Sequence, residues 1–295
     1  VSGRIDAHVH AFSDPEIARL AKANPAPPFG TVAELFAGLD VAGVERAVVA
    51  NFLPVLAMRR AGWSYGEIRR AQQSENEWLL GVAAEEPRLR ALIGTYLPLR
   101  PGSGDTLAGW LAEDACVGVR LHPSAGGYEA DAADLYPIAE LLAETDKAML
   151  IHAGFFHPGH RETGSAELLG LVAALPETRI VIAHLGGSGS LEAIALLEAG
   201  PNVWLDTSRV LSALPITAAR ALLGRVLDRT ASERIVHGSD FPFHTPREAL
   251  ARLEAVAPSP ACAETILTRS ATYAYDLAGA PQALADARSG SRSPS

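Results

Sequence analysis

The sequence predicts a (β/α)8 barrel, and three observations carry the prediction. Short apolar runs alternate with amphipathic stretches along all 295 residues, the pattern of repeated βα units. From the middle of the chain the runs end at positions 122, 152, 184, 206 and 240, close to the ~30 residues that a βα unit needs. Those ends repeatedly carry a His or an Asp, the residue types that a barrel gathers at its C-terminal mouth.

The elements follow in order. The first strand is expected at about 3–9, where residues two apart share a face and His8 and His10 stand side by side. A long first connection, 11–30, holds Pro15, Pro25, Pro27 and Pro28 and is expected to lie partly over the mouth. Thr31 then caps a helix, with Glu34 at the capping-box spacing. Further strands are expected at 46–50, 91–97, 117–122, 148–152, 179–184 and 203–206, with an eighth ending near Asp240. These runs are continuously apolar, as in parallel strands buried on both faces. Helices are expected at 67–85, 134–144, 166–174, 190–199, 216–228 and 246–256. The scheme gives one barrel over 1–281 and a disordered tail over 282–295, which ends Ser-Gly-Ser-Arg-Ser-Pro-Ser.

Composition narrows the function. A net charge of −9 argues against a nucleic-acid or anionic-membrane partner, because phosphate contacts need clustered Lys and Arg. Cys116 and Cys262 are far apart and have no CxxC spacing, so no disulfide framework is expected. No apolar run approaches the ~18 residues of a membrane span, and no secretory signal is expected ahead of the first strand. A cytoplasmic protein acting on a small molecule is expected, with a homodimer left open.

Five strand-end motifs carry the chemistry. They are Asp6-Ala7-His8-Val9-His10, Gly118-Val119-Arg120-Leu121-His122-Pro123, Ile151-His152-Ala153-Gly154, Ala183-His184-Leu185-Gly186-Gly187 and Gly238-Ser239-Asp240-Phe241-Pro242. In this order, over nearly the whole chain, they resemble the amidohydrolase superfamily, within it the amidohydrolase-related branch that also contains aromatic-acid decarboxylases. The resemblance implies one divalent metal held by His8, His10 and His152, with Asp240 as a further ligand or close neighbour. Imidazole and carboxylate donors suit Zn2+, with Mn2+ as the second choice. The resemblance places His184 beside the metal-activated water or the substrate oxygen. Asp240 is then the expected general base and His184 an electrophilic stabiliser.

The departures from the superfamily sharpen this picture. Binuclear members carry a carboxylated Lys on the fourth strand. Here that run holds Arg120, and the two lysines, Lys22 and Lys147, lie elsewhere, so a single metal is expected. Phe155 stands where deaminase members have an acid. His122 stands where the DNase branch has a carboxylate.

Other residues each have two readings. His122 either contacts substrate or holds the turn before Pro123. Arg120 is expected in a buried structural ion pair rather than as a substrate clamp. Asp206 either orients a ligand histidine or, as the favoured reading, caps a loop. Arg209 either grips a substrate carboxylate with its fork or lies on the surface. Asn51 and Phe155 are candidate substrate contacts, as are His157, His160 and His244 in loops. His237 is expected to point into the barrel wall as a core residue. The glycines of Gly186-Gly187-Ser188-Gly189 are expected to let backbone approach the metal site, and Trp63, Trp78 and Trp110 to pack.

The function expected is hydrolysis of an amide, lactone, ester or activated C–C bond by a mononuclear metal enzyme. The alternative is non-oxidative decarboxylation of a small aromatic or unsaturated acid. A non-catalytic metal-binding scaffold on the same barrel is the reading from another class, and the full ligand set speaks against it.

Overall fold

The structure, a computed structural model, describes residues 3–22, 26–95, 103–130, 132–154, 161–187 and 190–277. The expected disordered tail, and the loop residues Phe155, His157 and His160, lie outside the described residues.

Eight parallel strands follow one another in sheet order and form a TIM-type barrel. They are β1 (Ile5–Val9), β2 (Arg46–Ala50), β3 (Leu89–Gly94), β4 (Cys116–Leu121), β5 (Ala148–Ile151), β6 (Arg179–Ile182), β7 (Val203–Asp206) and β8 (Ile235–Val236). The seam between β8 and β1 is closed by backbone bonds. Ala7 N–H donates to His237 O (2.7 Å), Asp240 N–H to His8 O (2.8 Å) and His10 N–H to Phe241 O (2.7 Å). Asp6, at the head of the first motif, adds a side-chain stitch, its Oδ1 accepting from Ser239 N–H at 2.9 Å.

Alternate residues along each strand face opposite ways. Ile5, Ala7, Val48, Leu92, Leu150, Val181, Trp204 and Val236 fill the barrel interior. Val49, Ile93, Val119, Met149, Ile182 and Leu205 pack outward against the helices. Helices fill the connections, with capping boxes at Thr31/Glu34, Ser64/Glu67 and Thr245/Glu248. Trp78 and Trp110 pack against the outer core and Trp63 against a smaller cluster under the first loop.

Three departures from expectation shape the ends of the barrel. The eighth strand is only two residues long and stops four residues before Asp240, which itself takes a left-handed conformation (φ 61°). The proline-bearing first connection contains a helix, Pro15–Lys22, whose Ile17, Ala18 and Ala21 are buried. Two further helices, Pro260–Thr268 and Ser270–Tyr275, follow the last expected one. Ala271, Ala274 and Tyr275 pack into the interior cluster beside the turn that enters β8, closing the end of the barrel opposite the strand-end histidines.

Cys116 and Cys262 are both free thiols. Among the described residues, no helix is long and apolar enough to cross a membrane.

Candidate metal centre and active site

Two irregularities in the strands aim the functional side chains. The register of β1 against β2 slips between Asp6 and Val9, so that Ala7 faces the interior while His8 and His10 still converge at the mouth. In β4 the register slips next to Gly118, whose φ is 149°. A Cβ there would collide with the Ala148 carbonyl. Val117 lies inside before this bulge and Val119 outside after it, which turns Arg120 and His122 toward the mouth. Bulges commonly re-aim side chains next to active sites in this way.

His8, His10 and Asp240 form one compact buried group that could hold a metal ion, each offering a donor atom within 4.8 Å of the others. The hydrogen bonds suit this. His10 Nδ1–H donates to Ala50 O at 2.7 Å, which leaves the Nε2 lone pair facing Asp240 Oδ1 at 3.2 Å. Burial lowers the His10 imidazole to about 4, against the opposing pull of Asp240, so this ring is neutral at pH 7. A lone pair facing a carboxylate oxygen is repulsive unless a cation lies between them. His8 repeats the arrangement: its Nδ1 bonds Asp206 Oδ2 at 2.8 Å, and its Nε2 lies 3.8 Å from Asp240 Oδ1 and has no hydrogen-bond partner among the described residues. Burial would raise the Asp240 carboxyl, but the adjoining imidazoles of His10, His184 and His8 hold it well below the usual carboxylate range. Two imidazoles and an ionised carboxylate fit a divalent cation of the Zn2+ or Mn2+ type.

His152 is not part of that compact group. Its Nδ1 meets His184 Nε2 at 3.1 Å, and its ring stacks on His122. Burial, then the neighbouring charges, pushes both His152 and His122 well below the ordinary histidine value. His184 sits at the end of β6 in a left-handed conformation (φ 58°). Its Nδ1 lies 2.8 Å from Ser208 Oγ and 3.1 Å from Ser208 O.

The cavity at the mouth is lined by His10, Phe52, Arg120, His122, His152, His184, Arg209, Asp240 and Phe243. A roomier groove at the opposite end of the barrel, around Asp40, Arg46 and Arg88, carries no histidine. We place the chemistry at the mouth, because the donor groups are there.

Several expectations need correction. Asp206 does both jobs considered for it: its Oδ1 caps the loop by accepting from Ser208 N–H at 2.8 Å and its Oδ2 bonds His8, and it is fully buried and held at about 2 because the His8 and Ser208 interactions outweigh its burial. Arg120 forms no ion pair among the described residues. Its Nη1 donates to Leu121 O at 2.9 Å, and its Nε has no hydrogen-bond partner there. Arg209 is half-buried at the cavity wall, not a surface residue. His122 does both jobs considered for it: it lines the cavity, and its Nδ1 accepts from Ala125 N–H at the start of the short helix Pro123–Gly126. Asn51 lies in an adjoining cavity, its Nδ2–H donating to Asn76 Oδ1 at 2.5 Å. His244 does not line the mouth cavity. Gly187 and Gly154 approach each other, a Cβ on Gly187 falling 2.9 Å from Gly154 Cα. The close approach therefore joins the loops after β6 and β5 rather than backbone to the metal position.

Three residues at the mouth went unread in the sequence. Phe52 and Phe243 line the cavity; Phe52 comes two residues after β2 and Phe243 three residues after Asp240. Ser208 joins Asp206, His8 and His184 by hydrogen bonds. Its only sequence signal was a position two residues past the acid.

An eight-stranded parallel barrel with a His/His/Asp group at its C-terminal mouth defines a metal-dependent barrel enzyme. The chain belongs to the amidohydrolase family, whose model matches residues 5–277. No curated protein matches it in sequence. Among solved structures it is similar to 2,6-dihydroxybenzoate decarboxylase from Rhizobium, at 15% identity and a TM-score of 0.70, covering 95% of this chain and 100% of that one. It is also similar to a putative 2-pyrone-4,6-dicarboxylic acid hydrolase from Pseudomonas putida, at 21% identity and a TM-score of 0.67, covering 94% and 98%. A third is dihydroxybenzoic acid decarboxylase from Polaromonas sp. JS666 with bound manganese and 2-nitroresorcinol, at 16% identity and a TM-score of 0.70, covering 94% and 98%.

Proposed function

We propose that this chain is a metal-dependent, non-oxidative decarboxylase of a small aromatic or unsaturated carboxylic acid. The observation that carries the proposal is the cavity wall. Two guanidinium groups, Arg120 and Arg209, and two phenyl rings, Phe52 and Phe243, face the same space as His10 and Asp240. A buried guanidinium with no ion pair among the described residues, as at Arg120, favours an anionic ligand, and the rings suit a flat one. Two of the similar structures are decarboxylases of dihydroxybenzoates, one with manganese bound, which puts Mn2+ beside Zn2+ as the candidate ion.

In this proposal His8, His10 and Asp240 hold the cation, with His152 at its edge. A divalent cation there supplies Lewis acidity to a substrate oxygen. Arg209 holds the carboxylate and Arg120 the polar edge of the ring, while Phe52 and Phe243 pack on its faces and exclude water. The proton comes from water by way of Asp240, which passes it to the ring carbon that bears the carboxylate. The bond from that carbon to the carboxylate then breaks, its electron pair returns to the ring, and CO2 leaves. His122 and His184 bound the cavity.

Lactone hydrolysis is the second reading, favoured by the similarity to the 2-pyrone-4,6-dicarboxylic acid hydrolase. The same arginines would hold its carboxylates, and Asp240 would take the proton from water. Mn2+- or Zn2+-loaded protein incubated with 2,6-dihydroxybenzoate, 5-carboxyvanillate and 2-pyrone-4,6-dicarboxylate separates the two. CO2 release from an aromatic acid supports decarboxylation, and ring opening without CO2 supports hydrolysis. Failure on all three by protein with a full metal content would overturn this substrate class.

A further inference from the structure

We infer that Asp206 and Ser208, at the end of β7, set the tautomers of His8, His184 and His152 and thereby decide which imidazole nitrogens are open to a cation. The inference rests on the proposed cation site only for His8 as a ligand. The tautomers follow from the hydrogen bonds alone.

Asp206 is fully buried, and both its oxygens are committed. Oδ1 accepts from His184 N–H at 3.0 Å, from Ser208 N–H at 2.8 Å and from Ser208 Oγ–H. Oδ2 faces His8 Nδ1 at 2.8 Å. A carboxylate only accepts, so His8 carries a proton on Nδ1, and in the neutral ring the lone pair falls on Nε2, the nitrogen that points toward Asp240.

The same logic runs through Ser208. Its one hydroxyl hydrogen is committed to Asp206, so Oγ accepts from His184 Nδ1 at 2.8 Å. The Ser208 carbonyl, which can only accept, lies 3.1 Å from the same nitrogen. His184 is therefore protonated on Nδ1 and bare on Nε2. His152 Nδ1, 3.1 Å from that bare nitrogen, must donate to it, which puts the His152 lone pair on Nε2. His10 is set separately by the Ala50 carbonyl. One buried acid thus presents a lone pair on His8, and a serine two residues on passes the same ordering to two more rings. Partners of this kind fix ligand orientation in metal sites, and their loss typically lowers metal affinity about 10–100-fold. Asp206 is a positioning residue: it acts through His8.

Asp206→Asn tests this because its amide can fit only one way. Three donors converge on Oδ1, so the amide oxygen must take that place and the NH2 must face His8 Nδ1. An NH2 donates, so the His8 proton moves to Nε2, where it blocks a cation. The first readout is the 15N shifts of the histidine ring nitrogens in metal-free protein above pH 7.5. The second is Zn2+ affinity by chelator competition. In the wild type, Nδ1–H and a bare Nε2 are expected at His8. In Asp206→Asn, the His8 shifts exchange, those of His10 do not, and Zn2+ affinity falls about 10–100-fold. In Ser208→Ala, His8 and His184 keep their tautomers, because Asp206 and the Ser208 carbonyl remain.

A purely structural Asp206 would lower thermal stability without moving the nitrogen shifts. The inference is overturned if folded Asp206→Asn keeps Nδ1–H at His8 with wild-type Zn2+ affinity. If that variant does not fold, the wild-type spectrum decides, since Nε2–H on His8 would overturn it equally. No substrate enters either readout, so loss of the decarboxylase proposal would leave this test intact.

Discussion

The imidazole of His122 lies flat against that of His152, ring centroids 3.8 Å apart and planes 16° from parallel. Both rings are buried and pushed toward the neutral form, so the stack is between two uncharged rings. His122 also begins the helix Pro123–Gly126 by accepting from Ala125 N–H at 3.2 Å. His122→Ala removes both contacts and is expected to cost about 1–3 kcal/mol. His122→Asn restores a side-chain acceptor at that helix start and should recover some of the loss. Urea unfolding of the two variants checks this, and an unchanged midpoint in His122→Ala would mean that neither contact bears on stability.

His237 supplies a pH dependence outside the site. It is fully buried at the seam of the barrel, as its sequence position predicted, and neither ring nitrogen has a hydrogen-bond partner among the described residues. Burial lowers it to about 4, while an unfolded histidine titrates near 6.5. The unfolded chain therefore binds the proton first. Stability from this residue is complete above about pH 6.5, falls by about 2 kcal/mol by pH 5, and goes on falling to about pH 4. His237→Leu should unfold at a similar denaturant concentration at pH 7.5 and lose less stability at pH 5. Parallel pH profiles for the two proteins would show that the imidazole is solvated or partnered.

Gly187 carries the tight contact between the loops after β5 and β6. Its φ is 95°, and a Cβ would lie 2.9 Å from both Cα and N of Gly154. Gly187→Ala must strain the backbone and push apart the loops that begin at His152 and His184. A loss of about 2 kcal/mol is expected, with reduced turnover. Gly170, inside the helix Ser165–Ala174, has nothing within 4 Å of an added Cβ. Gly170→Ala should therefore stabilise by about 0.5–1 kcal/mol. Thermal melts of the pair separate steric crowding from a general glycine effect.

Arg209 tests the acid preference of the site. Its charge-assisted hydrogen bonds to a substrate carboxylate would contribute about 1.5–3 kcal/mol, so Arg209→Gln should raise KM for carboxylic acids about 10–100-fold. Turnover of neutral esters or lactones should change little. Equal losses on acids and neutral substrates would take the carboxylate contact away from Arg209.

The barrel was legible because its strands declare themselves locally. Arg46–Ala50 and Val203–Asp206 are found where their apolar runs place them, and the helix after Thr31 begins at its capping box. The convergence of His8, His10 and Asp240 followed from strand ends alone. What stayed hidden depends on partners distant in sequence. An acid ending a strand reads the same whether it caps a loop or bonds an imidazole 198 residues away, as Asp206 does. Arg120 reads as half of an ion pair, yet among the described residues no acid lies within ion-pair distance of it, and Asp240 and Asp206 act on it only from farther off. The helices Pro260–Thr268 and Ser270–Tyr275 belong to no βα unit, so the repeat gave no reason to expect them.

Asp240 is where geometry and chemistry can be separated most cleanly. Its left-handed backbone is one that Asn adopts almost as readily as Asp, and its N–H bond to His8 O involves no side-chain atom. Asp240→Asn should therefore fold with the barrel seam intact. The substitution removes the charge that faces His10 Nε2 at 3.2 Å and His8 Nε2 at 3.8 Å, so cation affinity should fall. It also removes the only carboxylate lining the mouth cavity among the described residues, so the proton has no carrier even in protein saturated with metal. Turnover at saturating metal should drop about 100- to 10,000-fold, the contribution of a positioned acid–base group. Normal turnover once metal is restored would leave Asp240 as a ligand alone and move the proton transfer to a histidine, with His184 first in line because its bare nitrogen already accepts a hydrogen bond from His152.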